Sequence, residues 1–285
     1  MAGEVSEYAI YRRVISQLMQ GQEQLPSLPK LTLEIRRALK DGAVNTAVLA
    51  RLIGRDPALS ALLMKHASCA LYRHPVAPRS LQDVIAQLGL REVDRITMVH
   101  SVKSLFTLHS PGHKQLFTDV WGRLTLKAGI CVVLSRLLGR VTPEHALLAC
   151  LLGEVGSLAV LSAFKDGAQI PSAQLYAKLC REYSGSLGVI LLKQWTVDDE
   201  YIQVIRCMGN WQYSAGPGLD LIDLVNLAHY HVSRVNDAEP ELPQLQTLAA
   251  YQKLVPPLNL INARGELELL IKHWADVDEI AKTLH

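Results

Sequence analysis

Hydrophobic and polar positions alternate along this chain with the period of an α-helix in nearly every segment. Apolar residues recur three or four positions apart, and no run alternates residue by residue for long enough to indicate a strand. The pattern therefore predicts an all-α protein. The predicted helices cover residues 4–20, 31–40, 46–54, 58–68, 81–88, 90–108, 117–138, 172–183, 187–195, 200–208, 219–235 and 265–284, with two further apolar runs in residues 144–164.

Polar residues stand just before many of these segments, where a side-chain oxygen can accept hydrogen bonds from the free N–H groups of a helix start. The predicted caps are Asn45, Asp56, Ser80, Thr142, Ser172 and Asp198. Asp83 follows Ser80 at the spacing of a capping box, with Asp in place of the usual Glu or Gln. Gly89 comes directly after the same helix, and we expect it to end that helix in the left-handed conformation.

The most apolar stretch is residues 144–164, in which two apolar runs flank the break Gly153-Glu154-Val155-Gly156. Glu154 interrupts the stretch, so no continuous apolar run reaches the roughly 18 residues that suggest a membrane span. The N-terminal residues are acidic rather than basic, which is not typical of a secretory signal. These features predict a cytoplasmic protein with no membrane partner.

Composition and charge narrow the functional classes. The chain of 285 residues is long enough for one large or two medium domains, and its formal net charge is only +2. It contains no block of like charge, so nucleic acid is not an expected partner. The five cysteines are widely spaced in apolar helical segments, which is typical of small buried side chains in a reducing compartment.

Motifs for catalysis or cofactor binding are missing from the sequence. It has no phosphate-binding loop, no dinucleotide-binding glycine fingerprint and no Gly-x-Ser-x-Gly element. His229 and His231 are two residues apart, so a helix directs them to different faces and they make a poor metal chelate. The acidic run at residues 198–200 is explained by the favourable interaction of carboxylates with a helix start. We therefore predict no catalytic residue, no metal-ligand set and no cofactor.

Three segments of the first half together resemble the HDOD domain, a degenerate relative of the HD phosphohydrolases found in bacterial signalling. LPSLPK, residues 25–30, is similar to the family's Leu-Pro-x-Leu-Pro opening. Residues 51–72 resemble its Asp-Pro-Ala-Leu segment, and residues 80–96 resemble its next helix and Leu-Gly-Leu turn. The resemblance covers about residues 20–215 and implies a multi-helical, HD-like fold.

The second half resembles the HD part of this family with its ligands missing. Arg123 stands where the family's Trp-x-His-Ser element has His, and Gly153-Glu154 stands where the family has His-Asp. Ser184 takes the place of a later His, and Met208-Gly209 falls near a final His-His pair. The resemblance implies that these six positions form a degenerate site, which would be a pocket without metal ligands.

The resemblance also implies a division of the chain. An HDOD domain would occupy residues 1–215, with an N-terminal helical subdomain over about residues 1–112 and a degenerate HD-like subdomain over about residues 113–215. Residues 216–285 would form a C-terminal helical extension. We expect this extension to pack on the core, because its apolar stripes need to be covered.

A helical frame that has lost its imidazole ligands favours a non-catalytic bacterial signal-transduction module, which binds a protein partner or a small regulator. One carboxylate cannot supply the coordination sphere of a divalent metal. Two alternatives stay open: a phosphohydrolase with a metal site rebuilt around Glu154, and a domain that binds a nucleotide second messenger without turnover, in which Arg123 contacts phosphate. The plainest expectation for Arg123 is a salt bridge to Glu154 that fills the vacated cavity.

Overall fold

The computed structural model describes residue 16 and residues 27–41, 45–68, 78–107, 114–162, 164, 171–235 and 242–284. This part of the chain is helical and contains no β-strand, although Ile261 and Leu267 form an isolated antiparallel bridge. The all-α prediction is confirmed. The predicted helix over residues 4–20 lies outside the described residues, residue 16 excepted.

Residues 27–107 form one compact unit. Its described helices are α1 (Lys30–Lys40), α2 (Thr46–Ile53), α3 (Pro57–Ala67), α4 (Leu81–Leu88) and α5 (Leu90–Thr107). α1 packs against α2 and α5, and α4 packs against α2, α3 and α5. Together these helices enclose an apolar core that includes Ile35, Leu49, Leu63, Ile85 and Ile96.

Local capping explains where helices of this unit start. The Asn45 side chain accepts a hydrogen bond from the Ala47 N–H at 2.7 Å, and the Asp56 side chain accepts one from the Leu59 N–H at 3.0 Å. Each cap satisfies a donor that would otherwise have no partner at the first turn. Both predicted caps are confirmed.

The capping box at the start of α4 is also confirmed. The Asp83 N–H donates to Ser80 Oγ at 3.1 Å, and the Ser80 N–H donates to the Asp83 carboxylate at 3.0 Å. The expected ending of this helix is only partly right. Gly89 has a positive φ of 80°, but its ψ of 156° is not that of the left-handed helical conformation. The chain therefore turns sharply at Gly89, and α5 begins at Leu90.

The described residues from 114 onward belong to the second compact unit. Its helices are α6 (Lys114–Leu138), α7 (Pro143–Gly153), α8 (Val155–Ser162), α9 (Ala173–Gln194), α10 (Asp199–Cys207), α11 (Leu221–Val235), α12 (Ala249–Gln252), α13 (Glu268–Lys272) and α14 (Trp274–Leu284). α6 is central, since α7, α11, α13 and α14 all pack against it. α8 packs against α9, and α10 packs against α7 and α9.

Glycines allow two very close helix contacts in this unit. A Cβ atom on Gly156 of α8 would lie 1.8 Å from the Ser184 carbonyl oxygen of α9. A Cβ atom on Gly129 of α6 would lie 2.7 Å from the Val277 carbonyl oxygen of α14. Neither position has room for a side chain, so the backbones of each helix pair are in direct contact.

Two helices predicted over residues 172–183 and 187–195 are a single helix, and the predicted break between them is wrong. α9 runs without interruption from Ala173 to Gln194. The predicted cap is confirmed, because Ser172 Oγ accepts a hydrogen bond from the Leu175 N–H at 3.1 Å. Ser and Gly at residues 184–186 cost up to about 1 kcal/mol each in helix propensity. Packing of α9 along α8 outweighs this cost.

Two predictions about the later helices are wrong. The segment expected to be helical over residues 265–284 starts with a turn at Gly265, which has a φ of 73°, and its helical part is interrupted at His273 between α13 and α14. Asp198 occupies the N-cap position of α10, but its side chain makes no capping hydrogen bond. Asp199 and Glu200 in the first turn provide the favourable negative charge there.

The segment Pro143–Ser162, which contains α7 and α8, is long and apolar enough to cross a membrane despite Glu154. The segment meets this criterion by its mean hydropathy with Glu154 included, so the interruption at Glu154 does not by itself exclude a span. However, 78% of its apolar window is buried inside the protein. A core helix of a water-soluble protein passes the same test, so this segment is weak evidence for a membrane span.

Candidate functional site

Glu154 lies at the junction of α7 and α8, where the family resemblance places the Asp of the HD pair. α7 ends at Gly153, Glu154 adopts a φ of −106° and a ψ of 3°, and α8 begins at Val155. The flanking residues are buried, whereas the Glu154 side chain is 25% exposed. The helix break therefore presents one carboxylate at the edge of an apolar core.

The partner of this carboxylate is Lys127 of α6, which is not among the six predicted positions. Its ammonium group forms an ion pair with Glu154 Oε1, and its side chain is only 2% exposed. The ammonium also lies 3.4 Å from the Sδ atom of Met208. A lysine buried to this extent needs a counter-charge, because an unpaired ammonium in an apolar core is very unfavourable.

The expected salt bridge between Arg123 and Glu154 is wrong. Arg123 is exposed, and Lys127, one turn further along α6, pairs with Glu154 instead. The reason is the direction of the side chains on α6. Lys127 shares the buried face of Leu124 and Cys131, whereas Arg123 lies outside it.

The second oxygen of the Glu154 carboxylate is held by α8. Ser157 Oγ donates a hydrogen bond to Glu154 Oε2 at 2.9 Å. The hydroxyl group of Tyr176, on α9, donates to the Ser157 carbonyl oxygen at 2.9 Å. Both Ser157 and Tyr176 are buried. Each oxygen of the Glu154 carboxylate therefore has a protein partner.

The charge states at this site follow from burial and from the ion pair. Burial would raise the pKa of Glu154, but the charge and hydrogen bond of Lys127 oppose it, and the pKa falls to about 2. Burial raises the pKa of Tyr176 well above its ordinary value and raises the pKa of Cys180 to about 12. At neutral pH Glu154 is thus a very weak base and the Cys180 thiol is protonated, which suits neither general-base nor thiolate chemistry.

Gly153 and Met208, two of the predicted positions, meet at this site. A Cβ atom on Gly153 would lie 3.4 Å from the Met208 Sδ atom. The thioether would therefore be in van der Waals contact with the first carbon of a side chain at position 153. The structure brings Gly153, Glu154 and Met208 together around the Lys127 ammonium.

Gly209 forms the turn that follows α10. It has a φ of 82°, and its N–H donates to the Oδ1 atom of Asn226 at 2.9 Å. Asn226, on α11, also donates to two carbonyl oxygens of the same turn, those of Cys207 at 3.2 Å and Asn210 at 3.3 Å. Asn226 therefore fixes the segment that carries Met208, a role that sequence reasoning did not identify.

His229 and His231 lie on different faces of α11, as their two-residue spacing predicts. His229 stacks on Trp211 with ring centres 5.6 Å apart, and its electrostatic interaction with Glu154 helps to lower the pKa of that carboxylate. His231 is buried instead near Glu266, and burial together with Arg234 lowers the pKa of His231 to about 4. The two imidazoles do not form a chelate.

Ser184 contributes to the packing around the site. Its carbonyl group is the part of α9 that directly faces Gly156 of α8. This contact sets the distance between α9 and the helix that carries Ser157. Of the six predicted positions, Ser184 thus has a structural role, and Arg123 lies on the exposed side of α6.

The residues at the HD position do not fit a divalent metal. Among the residues that the structure describes, no three His, Cys, Asp or Glu side chains converge into a group that could hold one. Glu154 supplies a single carboxylate, Met208 fills the space beside Gly153, and the Lys127 ammonium adjoins the carboxylate. An incoming cation would meet a fixed positive charge in place of further oxygen or nitrogen ligands.

Comparison with models of known protein families identifies the family of this chain. The model of the HDOD domain matches residues 25–210, which is more than half of the chain. The chain belongs to the HDOD family. The multi-helical HDOD fold predicted from the sequence is confirmed, and the protein is an HD-related module.

Solved structures share this HDOD fold. A Shewanella amazonensis protein, provisionally assigned as a metal-dependent phosphohydrolase, superposes with a TM-score of 0.72 at 19% identity, covering 98% of this chain and 99% of that protein. An HDOD domain protein of unknown function from Geobacter sulfurreducens gives a TM-score of 0.61 at 18% identity, covering 96% of this chain and 98% of that protein. At these identities the likeness establishes the fold and does not transfer a function.

Two further similar proteins extend beyond the part that this chain matches. A Marinobacter aquaeolei protein, provisionally assigned to signal transduction, gives a TM-score of 0.55 at 19% identity, covering 98% of this chain and 66% of that protein. An uncharacterised protein of Treponema pallidum is 24% identical over 240 residues, covering 78% of this chain and 45% of that protein. The chain thus spans less than half the length of this relative.

Lys127 is the residue of the candidate site that sequence reasoning missed, although a signal was present. Leu124, Ala128 and Cys131 are apolar residues at helical spacing in α6, and they are buried. Lys127 is three positions after the first of these and four before the last, so it lies on the same face. A single lysine on a core-facing stripe indicates a buried counter-charge elsewhere in the chain.

Proposed function

We propose that this HDOD protein is a non-catalytic regulatory module that binds a protein partner in a bacterial signalling pathway. The observation that carries the proposal is the Lys127–Glu154 ion pair at the position of the HD metal ligands. An HD phosphohydrolase needs a metal to activate water. Here an ammonium group pairs with the carboxylate that would have to bind it, and a thioether lies beside that ammonium.

The signalling role is drawn from the family and from one relative. The Marinobacter aquaeolei protein of the same fold carries a provisional assignment to signal transduction. A fold supports many functions, so this analogy gives the class of function rather than the partner. The intact helical frame around the Lys127–Glu154 pair is what a binding module needs, because it holds a surface in place without any catalytic group.

Metal content and hydrolysis test the non-catalytic part of the proposal. We expect the purified full chain to contain no stoichiometric transition metal and to hydrolyse neither phosphomonoesters nor cyclic dinucleotides. Adding manganese should produce no activity that a chelator removes. Stoichiometric metal together with chelator-sensitive phosphatase activity would establish the rebuilt phosphohydrolase instead.

Affinity capture of a partner from the native cell tests the proposed protein binding. Arg123 is the exposed charged residue nearest Lys127 on α6. Its positive charge acts to lower the pKa of Cys180, which lies at the site. We expect Arg123→Glu to weaken capture of a specific protein from the native cell at least several-fold, because charge reversal disrupts electrostatic complementarity. Arg136→Glu is the matched control, since Arg136 is also exposed and lies on α6 three turns away. Equal capture by the Arg123→Glu and Arg136→Glu variants would show that the binding surface does not include Arg123.

A nucleotide second messenger remains a second candidate because of the position of Arg123. Arg123 is exposed, and Glu154 forms its ion pair with Lys127 instead. A guanidinium group can contact phosphate through two parallel hydrogen bonds. Thermal unfolding in the presence of cyclic dinucleotides and of guanosine tetraphosphate tests it. A saturable rise in the midpoint that Arg123→Ala abolishes would favour this candidate, and a flat response to all of them would retire it.

A further inference from the structure

The Lys127 side chain crosses from the central helix α6 to the junction of α7 and α8. It is 2% exposed, so its ammonium group is almost completely removed from water. Such a group persists only where nearby atoms replace its hydration. The atoms that do so are Glu154 Oε1 and, at 3.4 Å, the Sδ atom of Met208.

The surroundings of the ammonium have the character of a cation site. Glu154 provides a full negative charge, since its pKa is held at about 2. Ser157 donates a hydrogen bond at 2.9 Å to the carboxylate oxygen that faces away from Lys127 and so fixes the carboxylate in place. Met208 and the bare backbone of Gly153 close the remaining side. A compact ammonium is the kind of cation that such a site can hold with a single carboxylate.

We infer that the Lys127 ammonium is the resident cation of the former HD site, and that removing it leaves a binding site for a small free cation such as an alkylammonium ion. The Lys127 side chain then supplies the positive charge at the position where an HD phosphohydrolase would bind a metal ion. The inference deepens the proposed function, because it states what occupies the site once catalysis has been lost.

Chemical rescue tests the inference with the full chain. Lys127→Ala removes the ammonium and opens the space that it filled, and ethylammonium chloride is the probe. We expect ethylammonium to raise the thermal midpoint of this variant by about 3 °C over sodium chloride of equal ionic strength, in a saturable manner. The wild-type protein should show no ethylammonium-specific rise, because its own side chain already fills the site.

Three control variants define the site. Lys127→Met should show no specific rise because its side chain keeps the space filled, and Lys127→Ala combined with Glu154→Gln should show none because the carboxylate charge is gone. Lys193→Ala, at an exposed lysine of α9, should behave as the wild type. An ethylammonium-specific rise in any of these three, or the lack of one in folded Lys127→Ala, would overturn the inference.

If Lys127→Ala alone does not fold, the doubly neutral variant Lys127→Met/Glu154→Gln decides. Recovery of helical circular dichroism in this double variant would support the inference, because it would show that the lost fold was due to an uncompensated carboxylate. Continued loss of helix would contradict it. These readouts involve no partner, so a failure here is distinct from a failure of the capture experiment on Arg123.

Discussion

Among the described residues of the larger unit, two buried lysines pair with carboxylates, and the two carboxylates differ in their exposure to solvent. Lys127 pairs with Glu154, whose side chain is 25% exposed, whereas Lys253 pairs with Asp223, whose side chain is 0% exposed. Both lysines are themselves buried. The same chemical pair is thus placed once at the edge of the core and once inside it.

The pKa shifts of the two carboxylates have opposite signs. Burial raises the pKa of Asp223 above its ordinary value even though Lys253 and the backbone oppose it. In Glu154, Lys127 and its neighbours His229 and Ser157 together outweigh burial and lower the pKa. One oxygen of Asp223 accepts hydrogen bonds from Lys253 Nζ at 2.7 Å and from the Asp220 N–H at 2.9 Å. Its other oxygen is buried without a hydrogen-bond partner in the described structure.

The comparison distinguishes Lys253–Asp223, an ion pair within the core, from Lys127–Glu154, the ion pair at the candidate site. Lys253–Asp223 joins the segment after α12 to the first turn of α11, and the carboxylate bears the full cost of burial. The Glu154 side chain is 25% exposed, so the Lys127–Glu154 pair lies at the edge of the core. Of these two pairs, it is the one placed closer to the surface.

Replacing Lys253 should have the largest effect. We expect Lys253→Met to reduce the free energy of unfolding by about 4 kcal/mol at neutral pH, because breaking a buried pair leaves a charge with no access to water. Urea denaturation followed by circular dichroism measures this loss. The loss should shrink at lower pH as Asp223 takes up a proton, and a loss independent of pH would argue against a charged Asp223.

The same substitution at Lys127 should cost less. We expect Lys127→Met to lower the free energy of unfolding by about 3 kcal/mol, since Glu154 is partly exposed and can gain hydration that Asp223 cannot. Lys193→Met, at an exposed position, is the matched control and should change stability by less than about 0.5 kcal/mol. If the Lys127 and Lys253 variants lose the same amount, the distinction between the two pairs fails.

The contributions of Glu154 and Asp223 to the free energy of unfolding should depend on pH with opposite signs. The pKa of Glu154 is about 2 in the folded protein against an ordinary 4.5, so its contribution is present above pH 4.5 and is lost as the pH falls through 2. Allowing for solvent screening, we expect the difference in stability between the wild type and Glu154→Gln to shrink by about 2 kcal/mol over that range.

Asp223 should behave in the opposite way. Because its folded pKa is raised, the folded state binds the proton more readily than the unfolded state, and ionisation of Asp223 costs stability as the pH rises above 3.8. The wild type should therefore gain stability relative to Asp223→Asn as the pH falls. Urea titrations at a series of pH values measure both differences, and parallel profiles for the two variants would refute the contrast.

Removing one supporting hydrogen bond should have the smallest effect. Ser157→Ala removes the donor to Glu154 Oε2, which we expect to cost about 1 kcal/mol because that oxygen can be rehydrated from the exposed side. The pKa of Glu154, followed by NMR, should rise slightly but stay below its ordinary value, since the Lys127 ion pair persists. A rise to the ordinary value would show that Ser157, and not Lys127, sets the charge of Glu154.

Much of the fold could be predicted from the sequence because the helix starts are specified locally. The caps at Asn45, Asp56 and Ser80 are hydrogen bonds between residues two or three positions apart, so the sequence near each one determines it. The continuity of α9 could not be predicted in this way. It depends on contact with Gly156 in another helix, which local propensity does not contain.

At the candidate site, the sequence predicted the local helix break, but it did not predict which distant segments meet there. The break at Gly153 and Glu154 is local, and the structure confirms it. The Lys127–Glu154 pair joins residues 27 positions apart, and the choice of Lys127 over Arg123 depends on which face of α6 is buried. The positions of Asn226 and Trp211 depend on the packing of α11, for which the sequence held no motif.

The contact at Gly129 has a practical consequence for anyone who prepares this protein. Gly129 is two residues from Lys127, and there α6 meets the backbone of Val277 with no side chain between them. A fragment trimmed to the family match, residues 25–210, would lack α11 to α14 and would leave that flank of α6 uncovered. Such a fragment should aggregate, and the ion pair should be studied only in the untrimmed polypeptide.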